Sequence, residues 1–142
     1  MRFVGSATVP ASRPIAPGLF MMADDGPRLV AGRCEPCGRL HFPATATCPY
    51  CGHAACRDVG VGPAARLFLF TVVQSQPPGY RGPLPFGFGV VELSEGLRVV
   101  TRLTEARLDR LHEGLSMSLV VEPLFTEDDG TAVLSYAFAP AA

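Results

Sequence analysis

A mainly β chain, with a small metal-stapled unit ahead of a five-stranded barrel, is predicted by three features of this 142-residue sequence. Its 15 glycines and 14 prolines favour short strands joined by turns. Two C-x-x-C pairs, Cys34/Cys37 and Cys48/Cys51, fall in a window too short to bury a core of its own. From residue 66 onward, five segments carry β-branched or alternating apolar residues and are separated by turn chemistry. A chain of this length buries one respectable core, so three consecutive parts are expected: an arm over 1–27, a zinc ribbon over 28–58 and a barrel over 59–142.

The arm contains Pro10, Pro14, Pro17 and Pro27 and has little periodicity, which predicts extended or irregular chain unless something holds it. Its apolar cluster Leu19-Phe20-Met21-Met22 is expected to be buried on the protein's own core, with docking on a partner as the alternative. In the ribbon, Leu29-Val30-Ala31 forms a short strand running into Cys34, and His41-Phe42-Pro43 crosses before the second cysteine pair. The barrel strands are expected at 66–74, 87–93, 97–103, 116–124 and 131–138, with tight hairpins at Ser94-Glu95-Gly96 and Asp128-Asp129-Gly130. Between the third and fourth strands, Thr104 can cap a short helix, Leu108 and Leu111 share a face, and Gly114 can end it. Five strands with one helix between strands 3 and 4 is the element order of an OB-fold. Alternation points Leu97, Val99, Thr101 and Leu103 inward and leaves Arg98, Val100 and Arg102 outside. Residues 66–73 read as apolar on both faces, Leu67, Leu69 and Val73 against Phe68, Phe70 and Val72, which predicts cover on both sides.

The cysteines carry the strongest chemical signal. Zn²⁺ takes four thiolates tetrahedrally, and a two-residue gap lets one knuckle turn present both sulfurs to one ion. Cys34, Cys37, Cys48 and Cys51 therefore form a complete cage, with Gly38 and Gly52 allowing the backbone to turn past each knuckle. Four protein ligands leave no open position to activate water, so the zinc is structural and stabilises a segment that cannot fold unaided. His53 and Cys56 read as bystanders, His41 as a strand residue beside the ribbon, and His112 as a surface residue in the last helical turn.

No catalytic apparatus accompanies the cage. Glu92, Glu95, Glu105, Glu113 and Glu122 are scattered, and neither a nucleophile elbow nor a phosphate-cradling P-loop is present, so the chain is expected to be no enzyme on its own. There are 12 basic residues, all arginine, against 13 acidic ones, a net charge of −1 that gives no pull toward nucleic acid or anionic lipid. A nucleic-acid module, with Phe68 and Phe70 as stacking platforms, is the alternative that this charge balance disfavours. The first 22 residues show no secretion signal and no stretch reaches membrane-spanning length, so a cytoplasmic location is expected. The proline-stiffened loop over 74–87 is long for a hairpin connection and stands where OB-folds grip ligands, although an ordered connector would look the same.

The stretches 29–38, His41-Phe42-Pro43 and Cys48-Pro49-Tyr50-Cys51-Gly52, with Phe70-Thr71-Val72-Val73 and residues 85–99 further on, resemble a known family. These are small proteins with a rubredoxin-like zinc ribbon followed by an OB-fold, acyl-CoA-associated accessory subunits of thiolase-superfamily enzymes. All four ligand positions of that family are filled here. The resemblance implies a non-catalytic partner of a thiolase, a hydroxymethylglutaryl-CoA synthase or a thiolase-like aldolase, with a CoA thioester at the shared site. An arginine fork and an aromatic face suit the phosphates and adenine of CoA, which makes Tyr80 and Arg81 candidates, followed by Arg98 and Arg102.

Overall fold

A computed structural model describes residues 11–141. The elements are β1 (Ser12–Pro14), β2 (Phe20–Ala23), β3 (Gly26–Cys34), β4 (Leu40–His41), β5 (Cys56–Val61), β6 (Ala64–Val73), β7 (Phe86–Leu93), β8 (Arg98–Leu103), β9 (Ser116–Thr126) and β10 (Ala132–Pro140). They form two sheets. In the first, β3 is central, pairing antiparallel with β2, β4 and β5. The second runs β1-β10-β8-β7-β6-β9, and β9 pairs again with β10, closing β6 to β10 into the five-stranded OB-fold barrel.

The five barrel strands lie where the alternation places them, and both tight hairpins form. Gly96 and Gly130 each adopt a φ of 91°, the left-handed conformation that closes such turns. Val99, Thr101 and Leu103 are buried and Leu97 packs against the core, while Arg98 and Val100 are exposed, as the period of two requires.

Four differences from the sequence reading have physical causes. The arm is partly ordered: β1 adds to the barrel alongside β10, with Ile15 N–H donating to the Leu134 carbonyl, and β2 forms a hairpin with β3. Phe20 packs on the core as expected, but Met21 and Met22 are 45% and 68% exposed. The ribbon contains a further strand, β5, which follows the last ligand and pairs with the second part of β3, from Cys34↔Cys56 to Leu29↔Val61.

The helix over 104–114 reduces to one 3-10 turn at Leu108–Arg110. Thr104 N–H is still donating to the Phe138 carbonyl, so the chain is held to β10 where the helix should begin. Leu111 is buried but Leu108 is 58% exposed, so no two-leucine face exists to reward further helix. His112 consequently stands in an exposed turn.

Finally, β6 contains a bulge at Phe68, because Leu67 pairs with Val91 while Leu69 pairs with Val90. The extra residue reverses the alternation midway. Leu67, Phe70 and Val72 face the core, and Leu69 is left 57% exposed. The strand reads as apolar on both faces because its facing pattern switches, and the chain itself covers only one of them. The bulge also explains Gly89, where an added Cβ would lie 2.1 Å from the Leu69 carbonyl oxygen. Gly89→Ala is therefore expected to destabilise the barrel by about 3 kcal/mol or more. Urea denaturation measures this, and an unchanged midpoint would contradict the close approach.

The ribbon sheet is built onto the barrel. Leu29, Ala31 and Val61 belong to the same buried cluster as Leu67, Val91, Leu103, Met117 and Phe138. At the outer seam, the ring of Phe42 meets that of Tyr136 edge-on at 5.5 Å.

Candidate functional site

The two knuckles face each other at one end of the ribbon sheet. Each turns on glycine: Gly38 (φ 74°) donates its N–H to the Cys34 carbonyl, and Gly52 (φ 81°) donates to that of Cys48. Cys34 lies at the end of β3, tied through its N–H to the Arg39 carbonyl, and Cys48 is tied likewise to His53. All four Sγ atoms lie within 4.8 Å of one another, with Cys34–Cys51 at 3.4 Å and Cys37–Cys48 at 3.7 Å. Thiolates at about 2.3 Å from a tetrahedral zinc sit about 3.8 Å apart, so the cage is close to the size Zn²⁺ requires. Cys34 and Cys48 are buried, Cys37 and Cys51 exposed.

The electrostatics of the cage also favour a cation. Burial opposes ionisation of Cys48, but the amides of Cys51 and Tyr50 and the neighbouring thiols outweigh it and lower its pKa to about 6. At Cys34 the backbone hydrogen bond from Cys37 favours the thiolate, yet burial and the three other thiols push it up to about 12. Without an ion the set holds its protons unequally. A divalent metal supplies the charge that lets all four ionise together. Cys56 stands next to the cage with its thiol pushed up by burial, which suits an inert structural cysteine. His53 Nδ1 lies 3.2 Å from Cys51 Sγ, outside the four-ligand set.

His41 is the strand residue of the ribbon that the sequence predicts, placed in β4 opposite Gly32, and the structure adds the contacts that hold it. Its ring is 5% exposed, and its Nε2 accepts the Thr45 N–H at 3.1 Å, which ties the strand to the loop before the second knuckle. The ring packs against Gly32, where an added Cβ would lie 2.5 Å from its Cε1 and Nε2.

The four residues suggested for CoA are not all brought together. Tyr80, Arg98 and Arg102 line one groove of about 610 Å³ on the outer barrel wall, with Phe42, Phe88 and Tyr136 among its apolar walls. Tyr80 is held by stacking on Phe86 at 4.6 Å and by donating its hydroxyl to the Pro83 carbonyl. Arg102 is only 12% exposed and is paired at 2.6 Å with Glu122, so it contributes to the groove wall as half of a neutral pair. Arg98 lies over the Phe68 ring at 3.9 Å, and Arg81 stands apart, over Phe125 at 4.2 Å.

Known proteins share this arrangement. Residues 25–57 match the model of the ChsH2 rubredoxin-like zinc ribbon domain and residues 58–122 that of the ChsH2 C-terminal OB-fold domain. A "DUF35 domain-containing scaffold protein" of Pyrococcus furiosus is 29% identical over 80% of this chain and 83% of its own. The "Benzoylsuccinyl-CoA thiolase subunit BbsA" of Thauera aromatica is 30% identical over 86% of this chain and 84% of its own. A solved structure described as "Ltp2-ChsH2(DUF35) aldolase" superposes with a TM-score of 0.64 at 27% identity, covering 81% of this chain and 86% of that one. With both domains matched in order and all four cysteines converging in space, the chain belongs to the ChsH2 family of proteins that join a zinc ribbon to an OB-fold.

Proposed function

We propose that this chain is a non-catalytic subunit that binds a thiolase-superfamily enzyme and supports its acyl-CoA chemistry, in the degradation of aromatic, steroid or fatty-acid-type CoA thioesters. The observation that carries the reading is a cross-strand row on the outer barrel face. Leu69, Val90 and Val100 lie directly opposite one another on β6, β7 and β8, and Leu69 and Val100 are each 57% exposed. Phe88 on β7, 38% exposed, extends the row. Adjacent apolar residues on a sheet face that the chain does not cover suit the core of a protein interface.

The partner's chemistry is inferred from relatives, one named as a thiolase subunit and one solved as part of an aldolase. The groove beside the row, with Tyr80, Arg98 and Arg102, would then take part of the CoA thioester at the shared surface. The zinc would be structural in this reading, and no nucleic acid or membrane is involved. Among the described residues no helix is long and apolar enough to cross a membrane.

Co-expression with a thiolase-superfamily subunit, followed by size-exclusion chromatography, tests the reading: a stable complex is expected, and a monodisperse monomer that ignores the subunit would refute it. In that complex, Arg81→Ala separates the loop from the groove. A rise in the KM for the CoA substrate beyond about twofold, or a loss of complex stability, makes Arg81 a contributor. With both unchanged, the loop is a connector and only the groove remains.

A further inference from the structure

The four positions of the cage are not equally defended. The first cysteine of each knuckle, Cys34 or Cys48, is buried, and the second, Cys37 or Cys51, is exposed. The buried pair draws on backbone amides, Cys34 on that of Cys37, and Cys48 on those of Cys51 and Tyr50, the last at 3.4 Å. The exposed pair differs within itself. Cys51 Sγ has His53 Nδ1 at 3.2 Å, whereas Cys37 Sγ has, among the described residues, no hydrogen-bond partner besides Cys48.

The knuckle itself puts His53 in place. Gly52 turns the chain at a φ of 81°, and the His53 carbonyl then accepts the Cys48 N–H at 2.9 Å, which sets the imidazole beside Cys51. A metal-bound thiolate only accepts hydrogen bonds, so the hydrogen in this contact is on Nδ1. An N–H pointed at a sulfur draws on its lone pairs and makes it a poorer nucleophile.

We propose that His53 shields the Cys51 thiolate by donating its Nδ1–H, and that Cys37 is therefore the modification site of the cage, the ligand that soft electrophiles reach first. With an activated alkene, the Cys37 sulfur contributes its electron pair to a new C–S bond, and the adjacent carbon takes its proton from water. The thioether that results carries no charge and is a weaker ligand, so the closed set of four is broken at one corner. His53 acts through Cys51 and holds no metal itself.

The test treats the full zinc-loaded chain with a limiting amount of N-ethylmaleimide and reads each cysteine by peptide mapping. Cys37 should be labelled about fivefold faster than Cys51, the advantage that one hydrogen bond of ordinary strength confers. In His53→Leu the two rates should converge. In His53→Asn, whose amide nitrogen stands close to the place of Nδ1, the difference should return. Cobalt substitution gives a second reading: the sulfur-to-metal charge-transfer band should move to lower energy in His53→Leu and back in His53→Asn. Cys56, half-buried beside the cage and outside its ligand set, should label alike in all three chains and reports that the ribbon stays closed. Equal labelling of Cys37 and Cys51 in the parent, or a His53→Leu variant with the parent's labelling order and cobalt spectrum, would overturn the proposal. So would an Asn variant that behaves like the Leu variant. A His53→Leu chain that holds less zinc, or whose Cys56 labels faster, overturns it as well, since the histidine would then be needed as a ligand or for the fold.

Discussion

Cys48→Ala, or stripping the metal with a chelator, is expected to unfold the ribbon and lower the melting temperature of the whole chain by about 15 °C or more. The ribbon's own apolar content is small, and each knuckle is secured by a pair of backbone hydrogen bonds, Gly38 to Cys34 with Cys34 to Arg39, and Gly52 to Cys48 with Cys48 to His53. Metal affinity must supply the rest of its folding free energy, on the order of 10 kcal/mol in comparable thiolate sites. The effect should not stop at the ribbon, because Leu29, Ala31 and Val61 complete a core shared with the barrel. Thermal unfolding with and without chelator measures the shift, and metal analysis of protein purified without chelator should give about one zinc per chain. Less than about half an equivalent, or an apo chain that melts with the parent, would contradict the closed thiolate site.

The second large effect is expected at the outer barrel face. Leu69→Asp combined with Val100→Asp should weaken association with the thiolase-superfamily subunit about 100-fold or more, because each places a charge in the middle of a dry interface. Both side chains are more than half exposed in the isolated chain, so its melting temperature should move by no more than about 2 °C. The same substitutions should reduce self-association of the chain expressed alone. Surface plasmon resonance and sedimentation velocity report the two properties. Unchanged affinity for the subunit would place the interface elsewhere.

The metal site was legible because ligand spacing is a local property: two residues between thiolates fix a knuckle wherever it occurs. The barrel strands were legible for a similar reason, since period-two burial is written into residues such as Val99, Thr101 and Leu103. Features decided by distant partners were hidden. Strand β5 carries Arg57, Asp58 and Gly60 and has little apolar alternation, yet pairing with β3 makes it a strand, and Gly60 leaves room for Met21 to lie across it. The bulge at Phe68 could not be seen in the run of seven consecutive large apolar or β-branched residues from Leu67 to Val73, although Gly89 opposite it was a faint sign. The loss of the helix followed from the hold of Phe138 on Thr104, a contact across 34 positions of sequence (138 less 104). The CoA candidates divided because distance along the chain does not reveal which arginines already have acidic neighbours: Arg102 has Glu122, and Arg98 has none among the described residues.

Strand β10 meets β1, β8 and β9, and it brings Val133, Ala137 and Phe138 into the core. As the chain emerges from the ribosome, every residue of the cysteine cage and its four-stranded sheet is available before this strand exists. The ribbon can therefore load its ion and fold during synthesis, whereas the barrel stays open until residues 132–140 have left the exit tunnel. During that interval β8 and β9 have unpaired edges, and a nascent chain is most exposed to mispairing with its neighbours on the same polysome.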